Sequence, residues 1–252
     1  MMKLRTIVVL FFALCLSGCS LLFPSSQPTV SHPPEQEILD RVLAHLSEKY
    51  DTQFDIYSNY RWDNEQGRSM KAYVAGTSQL LNFDVEVGFQ DSDGLNILDG
   101  YVGQLMKPLL RQRFLDVVNQ YYPVAEVQAR NPGMLTTYPD SMGVSTTLDE
   151  FLDYVSDRPG YIFAGIYLSI PEGEAEDETV ENLQSIVDDL RQVFPGRCFS
   201  SVAFTAYTPQ AYEESVVQDP LGARETNNDL YQWKNESFEY YWTTDDGLRK
   251  RK

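Results

Sequence analysis

Read from residue 35 onward, the chain alternates between stretches of helical and of two-residue hydrophobic periodicity. Residues 35–50 place Ile38, Leu39, Val42, Leu43 and Leu46 at i, i+3/i+4 spacing. Pro34 stands at the entry, and Glu35 and Glu37 suit the positive end of a helix dipole, so this is a helix. Strands are predicted over 53–60, 69–77 and 81–90. In the last, Leu81, Phe83, Val85, Val87 and Phe89 alternate with Asn82, Asp84, Glu86, Gly88 and Gln90, the pattern of an antiparallel sheet with one wet face. Residues 96–121 then read as helical through Ile97, Leu98, Tyr101, Val102, Leu105, Leu109, Val117, Val118 and Tyr121. Pro108 is expected to kink or split that span.

A stretch with weak periodicity, 123–146, follows and is the best candidate boundary between two units. The second begins at Thr147-Leu148-Asp149-Glu150, a capping-box sequence that opens a short helix ended by Pro159-Gly160. Tyr161–Ile170 is almost continuously apolar and predicts a central strand. Residues 178–194, with Val180, Leu183, Val187, Leu190 and Phe194 along one stripe, predict a helix stopped by Pro195-Gly196. Strands are expected over 199–207 and 237–243, with 218–236 as a long loop. The fold class is therefore α+β. Its parts are an α-β-β-β-α unit at 35–122, a linker at 123–146 and a second α+β unit at 147–252.

The N-terminal segment follows another logic. Lys3 and Arg5 precede an apolar run from Ile7 to Leu16, shorter than the roughly 20 residues a spanning helix needs, and small residues follow. That is the layout of a secretory signal peptide over 1–18. Leu16-Ser17-Gly18-Cys19 resembles the lipobox of bacterial membrane lipoproteins. The resemblance covers this segment only. It implies diacylglyceryl transfer to the Cys19 sulfur, cleavage before Cys19, and anchorage at the extracytoplasmic face of a bacterial membrane. Two acyl chains, at roughly 0.8 kcal/mol per buried CH₂, hold stably where one holds only reversibly. Residues 19–34, rich in Pro and Ser, read as an extended tether; sixteen residues at about 3.3 Å each reach about 50 Å, which keeps the folded part near the membrane.

Charge narrows the partners. The chain carries 37 Asp+Glu and a formal charge of −17; of its 20 Lys+Arg, Lys3 and Arg5 leave with the signal, so 18 remain and the charge becomes −19. Such a surface repels nucleic acid. Cys15 also leaves and Cys19 carries lipid, so Cys198 stands alone and no intramolecular disulfide framework forms. One thiol with His32 and His45 leaves no Cys/His zinc site.

Candidate chemistry is sparse. Asp91-Ser92-Asp93-Gly94 with Asn96 resembles part of a calcium loop. Aligning Gly94 to its sixth position, however, puts Phe89 and Gly100 where acidic ligands belong, so the segment reads as a turn. Glu172–Glu178 is an acidic run that suits a helix N-terminus. His45 lies on a helix with no Gly-x-Ser-x-Gly elbow in the chain, and Cys198 reads as a structural thiol. No catalytic, cofactor or metal residue is assigned, and Cys19 lipidation is the one site. Consecutive rings at Tyr121-Tyr122, Tyr231 with Trp233, and Phe238–Trp242 cannot all face one core. In the last, Phe238, Tyr240 and Trp242 share one face and Tyr241 takes the other. Arg249-Lys250-Arg251-Lys252 forms a basic tail that either meets a polyanionic surface or pairs with the domain's own acids. The expected function is a lipid-anchored, non-catalytic module that meets a protein, peptide or glycan partner, the alternative being an envelope hydrolase using paired carboxylates.

Overall fold

The computed structural model describes residues 34–64, 67–89, 94–130, 137–159, 161–217 and 237–250. The signal segment, Cys19, the tether, Asp91–Asp93 and the 218–236 loop lie outside them. Glu35–Lys252 forms one compact α+β unit with two sheets.

Helix α1 (Glu35–Tyr50) buries Ile38, Val42, Leu46 and Tyr50, four positions spaced by four, so one edge of the helix enters the core. The first sheet is an antiparallel meander of β1 (Phe54–Asn64), β2 (Gly67–Val74), β3 (Phe83–Phe89) and β4 (Leu95–Asp99), in that order. On β3 the predicted alternation holds at Phe83, Val85 and Val87, which are buried. Leu81 instead sits half-exposed in a 3₁₀ turn at Gln79–Leu81. Strand β4 corrects the reading of 96–121 as helix throughout. Ile97, Leu98 and Tyr101 fit helical spacing, but the free edge of β3 pairs with Leu95–Asp99 in the register Phe89↔Leu95, Val87↔Ile97 and Val85↔Asp99. A short apolar run fits either period, and the tertiary partner decides.

Helix α2 (Tyr101–Val118) runs as one element through Pro108, so the expected split does not occur. Its buried stripe of Val102, Met106, Leu110, Phe114 and Val118 continues on both sides of Pro108, and packing of such a face outweighs local propensity. The interval 123–146 is not merely a link, because it contains β5 (Ala125–Arg130). This strand joins β6 (Ile162–Ser169), β7 (Phe199–Tyr207), β8 (Ser237–Thr243) and β9 (Gly247–Lys250) in a second sheet of order β5-β6-β7-β8-β9. Strands β6 and β7 are parallel, bridged by α4 (Glu176–Val193); the other pairs are antiparallel. Between β5 and β6 lies α3 (Leu148–Val155), opened by the predicted capping box: Thr147 Oγ1 accepts from the Glu150 N–H, and the Glu150 carboxylate accepts from the Thr147 N–H.

Helix α4 turns Leu183, Ile186, Val187 and Leu190 inward, while Val180, expected on this stripe, is exposed and Thr179 is buried in its place. On β6 burial alternates strictly, with Ile162, Ala164, Ile166 and Leu168 facing the core. One buried cluster runs from α1 and the first sheet through α2 to the second sheet. Phe114 of α2 meets Phe194 at 4.6 Å and Phe199 at 5.9 Å, and Phe199 stacks on Trp242 at 5.5 Å.

Candidate functional site

Two sets of polar side chains stand out. The first is buried and centres on Asp99, where β4 hands over to α2. Its carboxylate accepts from the Tyr50 hydroxyl at 2.6 Å, from the Lys49 ammonium at 2.9 Å and from the Tyr101 N–H at 2.9 Å; its carbonyl accepts from the Tyr138 N–H at 2.8 Å. Lys49 also reaches Asp140 at 3.4 Å, and His45 Nε2 lies 3.3 Å from the same carboxylate. Burial, and then the Asp99 charge, push the Tyr50 hydroxyl far above its ordinary range, so it stays protonated and donates. Asp99 is 0 % exposed, so no ligand reaches it. The network locks α1, β4, the first turn of α2 and the segment at Tyr138 together.

The second is an open groove of about 980 Å³ at the end of the second sheet where β7 begins and β8 ends. Helix α4 supplies Asp188, Arg191 and Gln192; the turn after it supplies Gly196 and Arg197. The sheet supplies Ser200, Ser201, Tyr241 and Thr243, and Thr244 and Asp245 follow β8. Alternation along β8 explains why Tyr241 alone of its three consecutive rings is presented to the groove. Tyr240 and Trp242 point inward and are buried, and Tyr241 faces the other way with 44 % of its surface exposed. Phe194 and Phe199 close the floor, 2 % and 5 % exposed, and Arg191 lies over the Trp242 ring at 5.9 Å.

The turn that carries Arg197 depends on Gly196. Its φ is +62°, a conformation glycine tolerates, and a Cβ there would lie 2.5 Å from the Ser156 carbonyl oxygen. The same carbonyl accepts from the Arg197 N–H at 2.6 Å, so the close approach is what fixes Arg197 at the groove. Gly196→Ala is expected to cost about 1–3 kcal/mol, read as a lowered urea midpoint at unchanged slope. An unshifted midpoint would show that the turn relaxes freely.

The other sequence candidates take structural roles. The Cys198 thiol is buried, donates to the Pro195 carbonyl at 3.0 Å, and burial pushes its pKa up to about 11, which keeps it a thiol. In the acidic run, the Glu174 carboxylate accepts from the Tyr122 hydroxyl at 2.5 Å and from Thr179 at 2.9 Å, and Glu176 pairs with Lys250 at 2.6 Å. That last pair places part of the basic tail in β9, against the domain's own acids. Tyr121 donates to Asp189 at 2.7 Å, so both adjacent tyrosines fasten α4. Tyr231 and Trp233 lie outside the described residues, as do Asp91–Asp93, while Asn96 lies in β4. Among the described residues no three His, Cys, Asp or Glu side chains are grouped to hold a metal ion, and no helix is long and apolar enough to cross a membrane.

The alternation of β8 exposes Tyr241 to sequence reasoning, but the groove around it is missed, because its lining comes from α4, a turn and two strands distant in sequence. No family model and no curated protein matches the chain. Among solved structures, a crystal structure of a DUF5037 family protein from Ruminococcus gnavus ATCC 29149 is similar with a TM-score of 0.42 and 12% identity. The match covers 85% of this chain and 95% of that one.

Proposed function

We propose that this protein is a bacterial lipoprotein, held by lipid on Cys19 at the extracytoplasmic face of the membrane, whose folded unit is a non-catalytic binding module. The observation that carries the anchor is Leu16-Ser17-Gly18-Cys19 following Lys3, Arg5 and the Ile7–Leu16 run. The binding half is supported by the groove at the end of the second sheet, which offers guanidinium, hydroxyl and aromatic contacts on one open surface. A hydrolase reading finds less support. Glu172, Glu174 and Glu176 line a second cavity, of about 620 Å³, beside the start of α4. Glu174 is engaged there by Tyr122 and Thr179 and Glu176 by Lys250, which leaves Glu172 rather than a pair of open carboxylates.

Cys19→Ala is expected to move the protein from the membrane fraction to the soluble fraction, since two acyl chains supply nearly all of the membrane affinity in this reading. Mass analysis of the wild-type N-terminal peptide is expected to show a diacylglyceryl-modified Cys19. A variant that stays membrane-bound without the lipid sinks the anchor. Wild-type protein whose Cys19 carries no lipid does the same.

A further inference from the structure

Resting on the groove as the binding surface, we propose that its ligand is an oligosaccharide bearing carboxylates, with Arg197 meeting a carboxylate and Tyr241 stacking on a sugar ring. Charge is the first argument. In a chain of formal charge −17, the groove's charged lining is balanced, Arg191 and Arg197 against Asp188 and Asp245. An anion repelled elsewhere on this surface meets no net repulsion here.

The arginines are not equivalent. Arg41, Arg111, Arg113, Arg191 and Arg249 each lie within 4.0 Å of a carboxylate. The exposed Arg197 has no carboxylate partner among the described residues, while its backbone is pinned to Ser156. A guanidinium on a fixed backbone position, with its fork open, is suited to bidentate capture of a carboxylate.

The rest of the lining selects the molecule that carries the acid. Phe194 and Phe199 are closed over, so a peptide side chain finds no open apolar pocket. What is offered instead is one exposed tyrosine ring beside the hydroxyl residues Ser200, Ser201, Thr243 and Thr244. A sugar presents C–H faces to such a ring and a rim of hydroxyls to such neighbours. The volume of about 980 Å³ is at the upper end of the roughly 300–1,000 Å³ of ligand clefts, and so suits an oligomer.

The test is calorimetric titration of the full lipidated protein in neutral detergent with tetragalacturonate. Its methyl ester and a tetraglutamate peptide serve as comparison ligands. Tetragalacturonate is expected to bind, with affinity falling as salt rises, and the methyl ester to bind at least tenfold more weakly. Arg197→Gln is expected to weaken binding roughly tenfold or more, and Tyr241→Ala several-fold, at unchanged melting temperatures. Arg41→Gln, on α1 and outside the lining, is expected to leave binding unchanged. No binding of tetragalacturonate, or equal binding of its ester, overturns the ligand class and leaves the groove reading standing. Tetraglutamate bound as tightly, with the same dependence on Arg197, overturns the saccharide in favour of a peptide carboxylate. Tetragalacturonate binding indifferent to both Arg197→Gln and Tyr241→Ala overturns the groove itself.

Discussion

Asp99→Ala is expected to destabilise the fold by about 3–5 kcal/mol, a large share of the roughly 5–15 kcal/mol that holds a typical domain folded. The loss comes from what is left behind. Lys49, its side chain only 10 % exposed, keeps a charge whose nearest remaining acceptor is Asp140 at 3.4 Å. The Tyr50 hydroxyl and the Tyr101 N–H lose acceptors at 2.6 and 2.9 Å. Asp99→Asn is expected to cost less, because an amide oxygen still serves one or two of these donors while the charge on Lys49 goes uncompensated. Pairing Asp99→Leu with Lys49→Met is expected to recover part of the loss, since an apolar pair removes the stranded charge. Urea unfolding of the three variants decides it. An Asp99→Ala loss under about 1 kcal/mol, the scale of an exposed ion pair such as Arg113–Asp149, would mean that solvent or Asp140 satisfies Lys49.

That network also shows where the sequence is legible and where it is silent. The segments α1, α3, β6, β7 and β8 carry their own period or cap, so each is readable alone. Strand β5 is not, because Val127 is buried while Ala125, Glu126, Gln128 and Ala129 are only half-buried, and the edge of β6 makes it a strand. Strand β9, four residues long, exists through its hairpin with β8 and overlaps what reads as a basic tail. Val180 fits the apolar stripe of α4 by spacing, yet the helix is rotated so that Thr179, donating to Glu174, faces inward. Asp99 falls inside the span that reads as helical, 96–121; its role appears only when α1 and the segment at Tyr138 close over it. The groove is likewise built between segments, and of its parts only the outward Tyr241 follows from a local rule.

Phe114→Ala is expected to cost about 3–5 kcal/mol, the range for emptying a fully enclosed aromatic site. Phe114 is 0 % exposed and lies on α2, the helix that follows the first sheet. Its ring contacts are Phe194, just past α4, and Phe199 on β7, which in turn stacks on Trp242. A truncation there therefore removes the wedge between the two halves of the chain rather than a contact internal to either. Phe114→Leu, which keeps most of the volume, is expected to cost less than half as much. The informative readout is cooperativity. If the cluster joins both sheets into one folding unit, the wild type and both variants unfold in a single transition, with far-ultraviolet and near-ultraviolet dichroism changing together. If the two probes separate in Phe114→Ala but coincide in the wild type, this ring holds two otherwise independent units together. Separation already in the wild type would mean that the continuous core, though closed in space, does not couple the two sheets energetically.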